Sequence, residues 1–134
     1  LNKIISYGNL DGTFRPDVST SRKRHFVFVD GLLAGEGSGP MNPDEIHFGT
    51  LLFGVNAPSV DAACAYLMGY DPDLIPIIRQ AFLCNSYSLV EWPWEKIKLA
   101  SNKIEWDNSI NNIPNSSTYN FKPHFGWKGK IERY

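Results

Sequence analysis

Three carboxylates carry the chemistry this sequence can offer. Asp30 closes an apolar run, Glu36 stands within Gly35-Glu36-Gly37-Ser38-Gly39-Pro40, and Asp61 follows Asn56-Ala57-Pro58-Ser59-Val60. Asp30 is expected at a strand end, Glu36 in a glycine loop, and Asp61 in the first turn of a helix. Strand ends and helix starts meet at one edge of the sheet in α/β folds. The oxygens of Asp30, Glu36 and Asp61 are therefore expected to converge and to hold a divalent cation such as Mg²⁺, Mn²⁺ or Ca²⁺. The same three residues could instead work as an acid and a base, if burial raises one pKa. Gly31, Gly35, Gly37 and Gly39 would let the backbone carry Glu36 inward, and the amides of Gly37 and Gly39 would add ligand contacts. The loop is not a Walker loop, because no Gly-Lys-Ser/Thr follows, and Glu36 would repel a phosphate unless a metal stood between them.

Each carboxylate also has a plainer reading. Asp30 can make the Asp-Gly turn. Asp61 can satisfy free amides at its helix start. A lone Glu36 between glycines has little structural purpose from sequence alone. His25, His47 and His124 are scattered; His25 and His47 fall on adjacent candidate strands and could face each other, though most such histidines are core or edge groups. Cys64 and Cys84 lie on apolar stretches without a C-x-x-C pair, so both read as buried free thiols, and neither zinc nor an iron–sulfur cluster has support.

The elements that must position these groups follow from hydrophobic pattern and punctuation. Residues 3–7 read as a short strand after which the chain is polar and turn-rich to residue 24. Residues 25–30, His-Phe-Val-Phe-Val-Asp, read as a buried strand. Three glycines within residues 35–39 disfavour any regular element, because glycine loses most backbone entropy on ordering. Residues 46–55 read as the next strand, pairing with residues 25–30. Pro58 opens a helix on which Val60, Ala63, Cys64, Leu67 and Met68 form one stripe, closed by Gly69 as a left-handed cap. Pro76 starts a second helix, over residues 77–83. Residues 97–99 and 103–106 are expected to pair as a hairpin. Residues 108–117 read as loop, and the aromatic residues 121–127 as an irregular tail pinned to the body. The expected fold is α/β: a mixed β-sheet covered by two or three short helices, with a long irregular carboxy-terminal segment, as one domain over residues 1–134.

With 134 residues, 43% apolar, the chain can build a core and does not read as disordered. A formal net charge of -1 offers no field for nucleic acid. Arg22-Lys23-Arg24 is a basic cluster too short to change that, and reads as a solvated loop. No apolar run approaches the ~18 residues of a membrane span. The opening at Leu1 directly before strand-like sequence reads as an excised or processed piece, so the expected partner is an amino-terminal part of its own chain. A cytoplasmic location is favoured.

Residues Val29-Asp30-Gly31-Leu32-Leu33-Ala34-Gly35-Glu36-Gly37-Ser38-Gly39-Pro40 precede Val55-Asn56-Ala57-Pro58-Ser59-Val60-Asp61, and that helix runs into Met68-Gly69-Tyr70-Asp71-Pro72. In order and spacing these stretches resemble the family called domain of unknown function 362. Its members carry Asp-Gly-hydrophobic-x-x-x-Glu-Gly-x-Gly-Pro, a strand, and an Asn/Asp-Pro-Val-Ala-x-Asp helix ending in Met-Gly-x-Asp-Pro. The likeness covers residues 26–78, with one residue more before the helix proline than the family pattern has. Some members also carry ferredoxin-type cysteine clusters; this chain has no such cluster, so no iron–sulfur role carries over. The resemblance implies a fold neighbourhood and a candidate site, but no reaction. Two functions are expected to compete: a carboxylate-lined ligand or metal site lent to a larger enzyme, and a non-catalytic structural or interaction module. The second would present Trp92, Trp94 and Trp127 as an exposed patch.

Overall fold

The computed structural model describes residues 2–15, 23–84, 87–90 and 92–133. Arg22 of the basic cluster and the serine-rich residues 19–21 lie outside them. Among the described residues three α-helices and two antiparallel two-stranded ribbons make an α/β fold.

The ribbons are two halves of one long, broken hairpin. β1 (Val27–Gly31) pairs with β4 (Thr50–Gly54), from Val27 opposite Gly54 to Gly31 opposite Thr50. Between them β2 (Ala34–Ser38) pairs with β3 (Asn42–Ile46), from Ala34 opposite Ile46 to Ser38 opposite Asn42. The expected strand over residues 46–55 is thus split. His47, Phe48 and Gly49 leave the ladder, and the Phe48 ring turns into the core. It packs edge-on against Tyr119 at 4.7 Å and Phe121 at 5.4 Å between centroids. Gly31 makes this possible: a Cβ there would stand 2.8 Å from Phe48 Cδ1.

The expectation that the glycines of residues 35–39 form a loop is also corrected, because they supply β2. Gly35 lies under the Pro43 ring, 2.8 Å from where its own Cβ would be, so close backbone approach offsets the weak strand preference. Cross-strand partners and the tail hold the ribbon; intrinsic propensity does not.

The helix α2 (Ala57–Leu67) starts where Asn56 caps it, its side chain accepting from the Ser59 amide at 3.0 Å. Proline at the second helical position needs no amide partner there. Val60, Ala63 and Leu67 are buried as expected, and Ala62, Ala65 and Tyr66 are buried with them, so the helix is covered on most sides. Cys64 and Cys84 are both half-buried rather than buried, and neither is in a disulfide; Cys84 Sγ accepts from Lys3 Nζ at 2.6 Å. Gly69 is left-handed, with φ of +89°, and a Cβ there would stand 2.4 Å from the Tyr119 carbonyl oxygen. The tail runs past at that point: the Tyr119 and Phe121 amides donate to the Leu67 and Met68 carbonyls at 2.8 and 3.0 Å, serving helix-end acceptors that would otherwise lack partners. α3 (Pro76–Leu83) follows, proline-initiated as expected.

Two other expectations change. Residues 3–7 are not a strand but belong to α1 (Asn2–Tyr7). A run so short cannot be assigned by periodicity; burial of Ser6 and Tyr7 decides it, with Tyr7 in a small cluster with Leu89 and Val90. The hairpin partner of residues 97–99 is not 103–106. Leu99 donates to Asn108 O at 2.9 Å and Ile110 to Ile97 O at 2.9 Å. Residues 103–106 form the turn between, where Trp106 is buried and Lys103 Nζ lies 4.1 Å over its ring. Among the described residues no helix is long and apolar enough to cross a membrane.

Candidate functional site

Each of the three carboxylates has its own local setting. Asp30 is exposed in β1, and its Oδ1 accepts from the Leu32 amide at 3.1 Å, which is the turn role. Glu36 in β2 is clasped by Lys122 of the tail. Its Oε2 accepts from the Lys122 amide at 2.7 Å, and its Oε1 lies 3.0 Å from Lys122 Nζ. The backbone hydrogen bond, with the ammonium beside it, holds the Glu36 carboxyl below its ordinary value. Asp61 lies one turn into α2, beyond the first turn, where Asn56 already serves the free amides. Asp61 is exposed, and the partial shielding of its carboxyl from water by the surrounding residues raises its pKa.

The shared metal centre expected of Asp30, Glu36 and Asp61 is not seen: among the described residues no three histidine, cysteine or acidic side chains are grouped to hold a metal ion. The charge that a cation would have compensated at Glu36 is compensated by Lys122. Nor do Gly37 and Gly39 form a ligand cradle, since Gly37 donates to the Lys122 carbonyl at 2.8 Å and Gly39 opens the ribbon turn. His25 and His47 lie toward opposite ends of the β1–β4 ladder and do not face each other. His47 pairs instead with Glu45, at 3.4 Å.

What the fold does present is an uncovered apolar face. Along β1 and β4 the residues alternate between half-buried and exposed. Val27, Val29, Leu52 and Gly54 turn inward; Gly54 meets α2, with Val60 Cγ2 2.4 Å from the place of a Cβ. Phe28 and Leu51 turn outward with Phe53, at 64%, 54% and 65% exposure, flanked by Phe26 and Val55 at 70% and 65%. The Phe26 and Phe53 rings stack at 5.7 Å. The strand expected to be buried is thus buried on one side only. Its signal was already in the sequence: residues 26–29 and 51–53 are apolar at every position, the pattern of strands covered on both faces.

A groove of about 390 Å³ continues this face past Phe53 and Val55 to Trp92, Ile97 and Lys98. Of the tryptophans expected to form one patch, only Trp92 joins it. Trp94 is half-buried, 6.0 Å from the Tyr66 ring, and Trp127 lines a different pocket, beside Asp61. Comparisons with protein-family models, with curated proteins and with solved structures find no match.

Proposed function

We propose that this chain is a non-catalytic interaction module whose β1–β4 ribbon receives an amphipathic α-helix across its outer face. The observation that carries the reading is the contiguous exposure of Phe26, Phe28, Leu51, Phe53 and Val55 on one side of a ribbon whose other side packs inward. Recovering burial of five such side chains is worth roughly 1–2 kcal/mol each. Their gross sum is comparable to the stability of a whole small domain, and what remains of it after the cost of association favours coverage of this face.

Dimensions favour a helix as the cover. A two-stranded ribbon has strands ~5 Å apart, so its face is about as wide as the ~10 Å diameter of one helix. Five residues of strand extend ~17 Å, which matches about three helical turns. Charge gives the partner its chemistry. Asp30 stands at the Leu51 end of the face without a cation among the described residues, and Arg24 is exposed just before the other end. The complementary helix carries an apolar stripe, a basic residue over Asp30 and an acidic one toward Arg24. It comes either from an amino-terminal part of the same protein or from a separate partner.

A photo-reactive phenylalanine analogue in place of Phe28, in the protein as its own cells make it, tests the reading. Cross-links to one segment at positions three or four apart support it, and the identity of that segment tells own chain from separate partner. Cross-links spaced by two residues, scattered over many proteins, or absent altogether would overturn it.

A further inference from the structure

On another side of the molecule, α2, α3 and the tail line an open cleft of about 520 Å³. Its walls are chiefly apolar: Met68, Ile75, Ile77, Ile78, Trp127 and Ile131. Asp61 stands in the wall, with Cys64 three residues along the same helix and Tyr70 beyond its end. No cation and no hydrogen-bond donor among the described residues meets the Asp61 carboxylate. The other two polar groups bring no charge to neutral solution: burial first, and the Asp61 charge second, push the Cys64 thiol up to about 11, and burial pushes the Tyr70 hydroxyl up to about 12. Asp61 is therefore the one carboxylate of this cleft, exposed at its mouth beside apolar walls and unpaired among the described residues.

We propose that this pocket binds an organic ammonium group carried on an apolar chain, the chain lying among Ile75, Ile78 and Trp127 and the ammonium meeting Asp61. The complementarity is twofold. An apolar body gains by leaving water for the pocket wall. A ligand that covers the exposed Asp61 carboxylate takes water from it, and a charged donor offsets that loss best. A carboxylate-bearing ligand of the same shape meets repulsion, and a neutral one leaves Asp61 unmatched. Three rotatable donors on an apolar stem, as an alkylammonium or a lysine side chain presents, suit one carboxylate at the side of an open apolar cleft. Neither the outer face of β1–β4 nor its partner helix enters this argument, and the two proposals stand or fall separately.

The test titrates the intact chain with n-hexylammonium, n-hexanol and n-hexanoate, following Trp127 fluorescence, with Trp127→Phe identifying which of the tryptophans responds. Hexylammonium is expected to bind about tenfold more tightly than hexanol, the scale of one hydrogen bond to a charged group, and hexanoate most weakly. Asp61→Asn should erase the preference for the ammonium while leaving hexanol binding and the circular-dichroism spectrum unchanged. A blocked Leu-Lys-Leu peptide forms a further arm. Tighter binding than hexylammonium assigns the ammonium to a peptide lysine, and weaker binding assigns it to a free amine. Equal binding of ammonium and alcohol, a preference that survives Asp61→Asn, or no binding of any of these probes overturns the proposal.

Discussion

Glu36 grips Lys122 twice, taking the backbone amide on one carboxylate oxygen at 2.7 Å and the side-chain ammonium on the other at 3.0 Å. The Gly37 amide then donates to the carbonyl of the same residue at 2.8 Å. Through these bonds the tail lies along β2 much as a third strand would. The clasp also gives Glu36, a carboxylate among glycines, a structural purpose: it fastens the tail that goes on to serve the end of α2.

Breaking that clasp should be visible in stability and in its pH dependence. Glu36→Gln keeps an acceptor for the amide but loses the ion pair, and is expected to lower unfolding stability at neutral pH by roughly 1 kcal/mol, given the exposure of Lys122. Hydrogen bonding holds the folded-state pKa of Glu36 below its ordinary 4.5. The folded state thus favours the ionised form, and its contribution is present above the unfolded value and disappears as pH falls through the folded one. Denaturation of both proteins from neutral to acid pH should show the gap closing below 4.5. A gap that stays constant into acid would mean that the charge on Glu36 does not matter.

Leu67 makes the plainest core prediction. It is 1% exposed at the end of α2, and Leu67→Ala should cost about 2–5 kcal/mol. Ile77→Ala serves as the contrast, since Ile77 is 80% exposed and should change stability by under ~0.5 kcal/mol. Chemical denaturation of the two variants checks both, and similar losses would show that the inner and outer faces are misassigned.

Local signals account for the parts of this fold that were legible in the sequence. Pro58, the apolar spacing through Leu67, and Gly69 place α2 because caps and periodicity act within a few residues of one another. Pro76 places α3 in the same way, and the pairing of β1 with β4 follows from two apolar runs. Long-range partners decide the rest. Phe48 leaves its strand because Tyr119 and Phe121 wait for it more than 70 residues away. The glycines of β2 adopt strand geometry because Pro43 and Lys122 meet them, the latter 86 residues from Glu36. The carboxylates looked like one site because turn, loop and helix start alternate along the chain there. No local pattern reveals that Lys122 already answers one of them. Only Asp61 keeps an open role, in a pocket that depends on Trp127 and Ile131, far along the tail.

Gly31 and Phe48 should be energetically coupled. Gly31→Ala places a methyl group 2.8 Å from Phe48 Cδ1 and 3.0 Å from the Thr50 carbonyl oxygen. Overpacking of this kind typically costs about 1–3 kcal/mol. Phe48→Leu alone removes the ring from the aromatic cluster. Combined, the two losses should sum to more than the double variant shows, because the smaller side chain frees the space that the methyl needs. A double-mutant cycle measures this directly, and strict additivity would place the strain of Gly31→Ala at the Thr50 backbone instead.

The outer face of β1–β4 offers a separation that a core does not. Phe28 and Phe53 are 64% and 65% exposed, so little of their surface stabilises the folded chain. Threonine is β-branched and so suits a strand, while it removes the aromatic surface. Phe28→Thr with Phe53→Thr is therefore expected to change the unfolding free energy by less than ~1 kcal/mol while abolishing capture of the proposed helix. The inner-face variant Leu52→Thr should behave in the opposite sense, lowering stability by about 1 kcal/mol or more through a lost core contact. Hydrophobic-dye binding reads out the face directly: it should fall in the outer double variant and not in Leu52→Thr at temperatures where both remain folded. If the outer double variant loses more than ~2 kcal/mol, the face already contributes to the stability of residues 1–134 by themselves, and the docking reading has to be withdrawn.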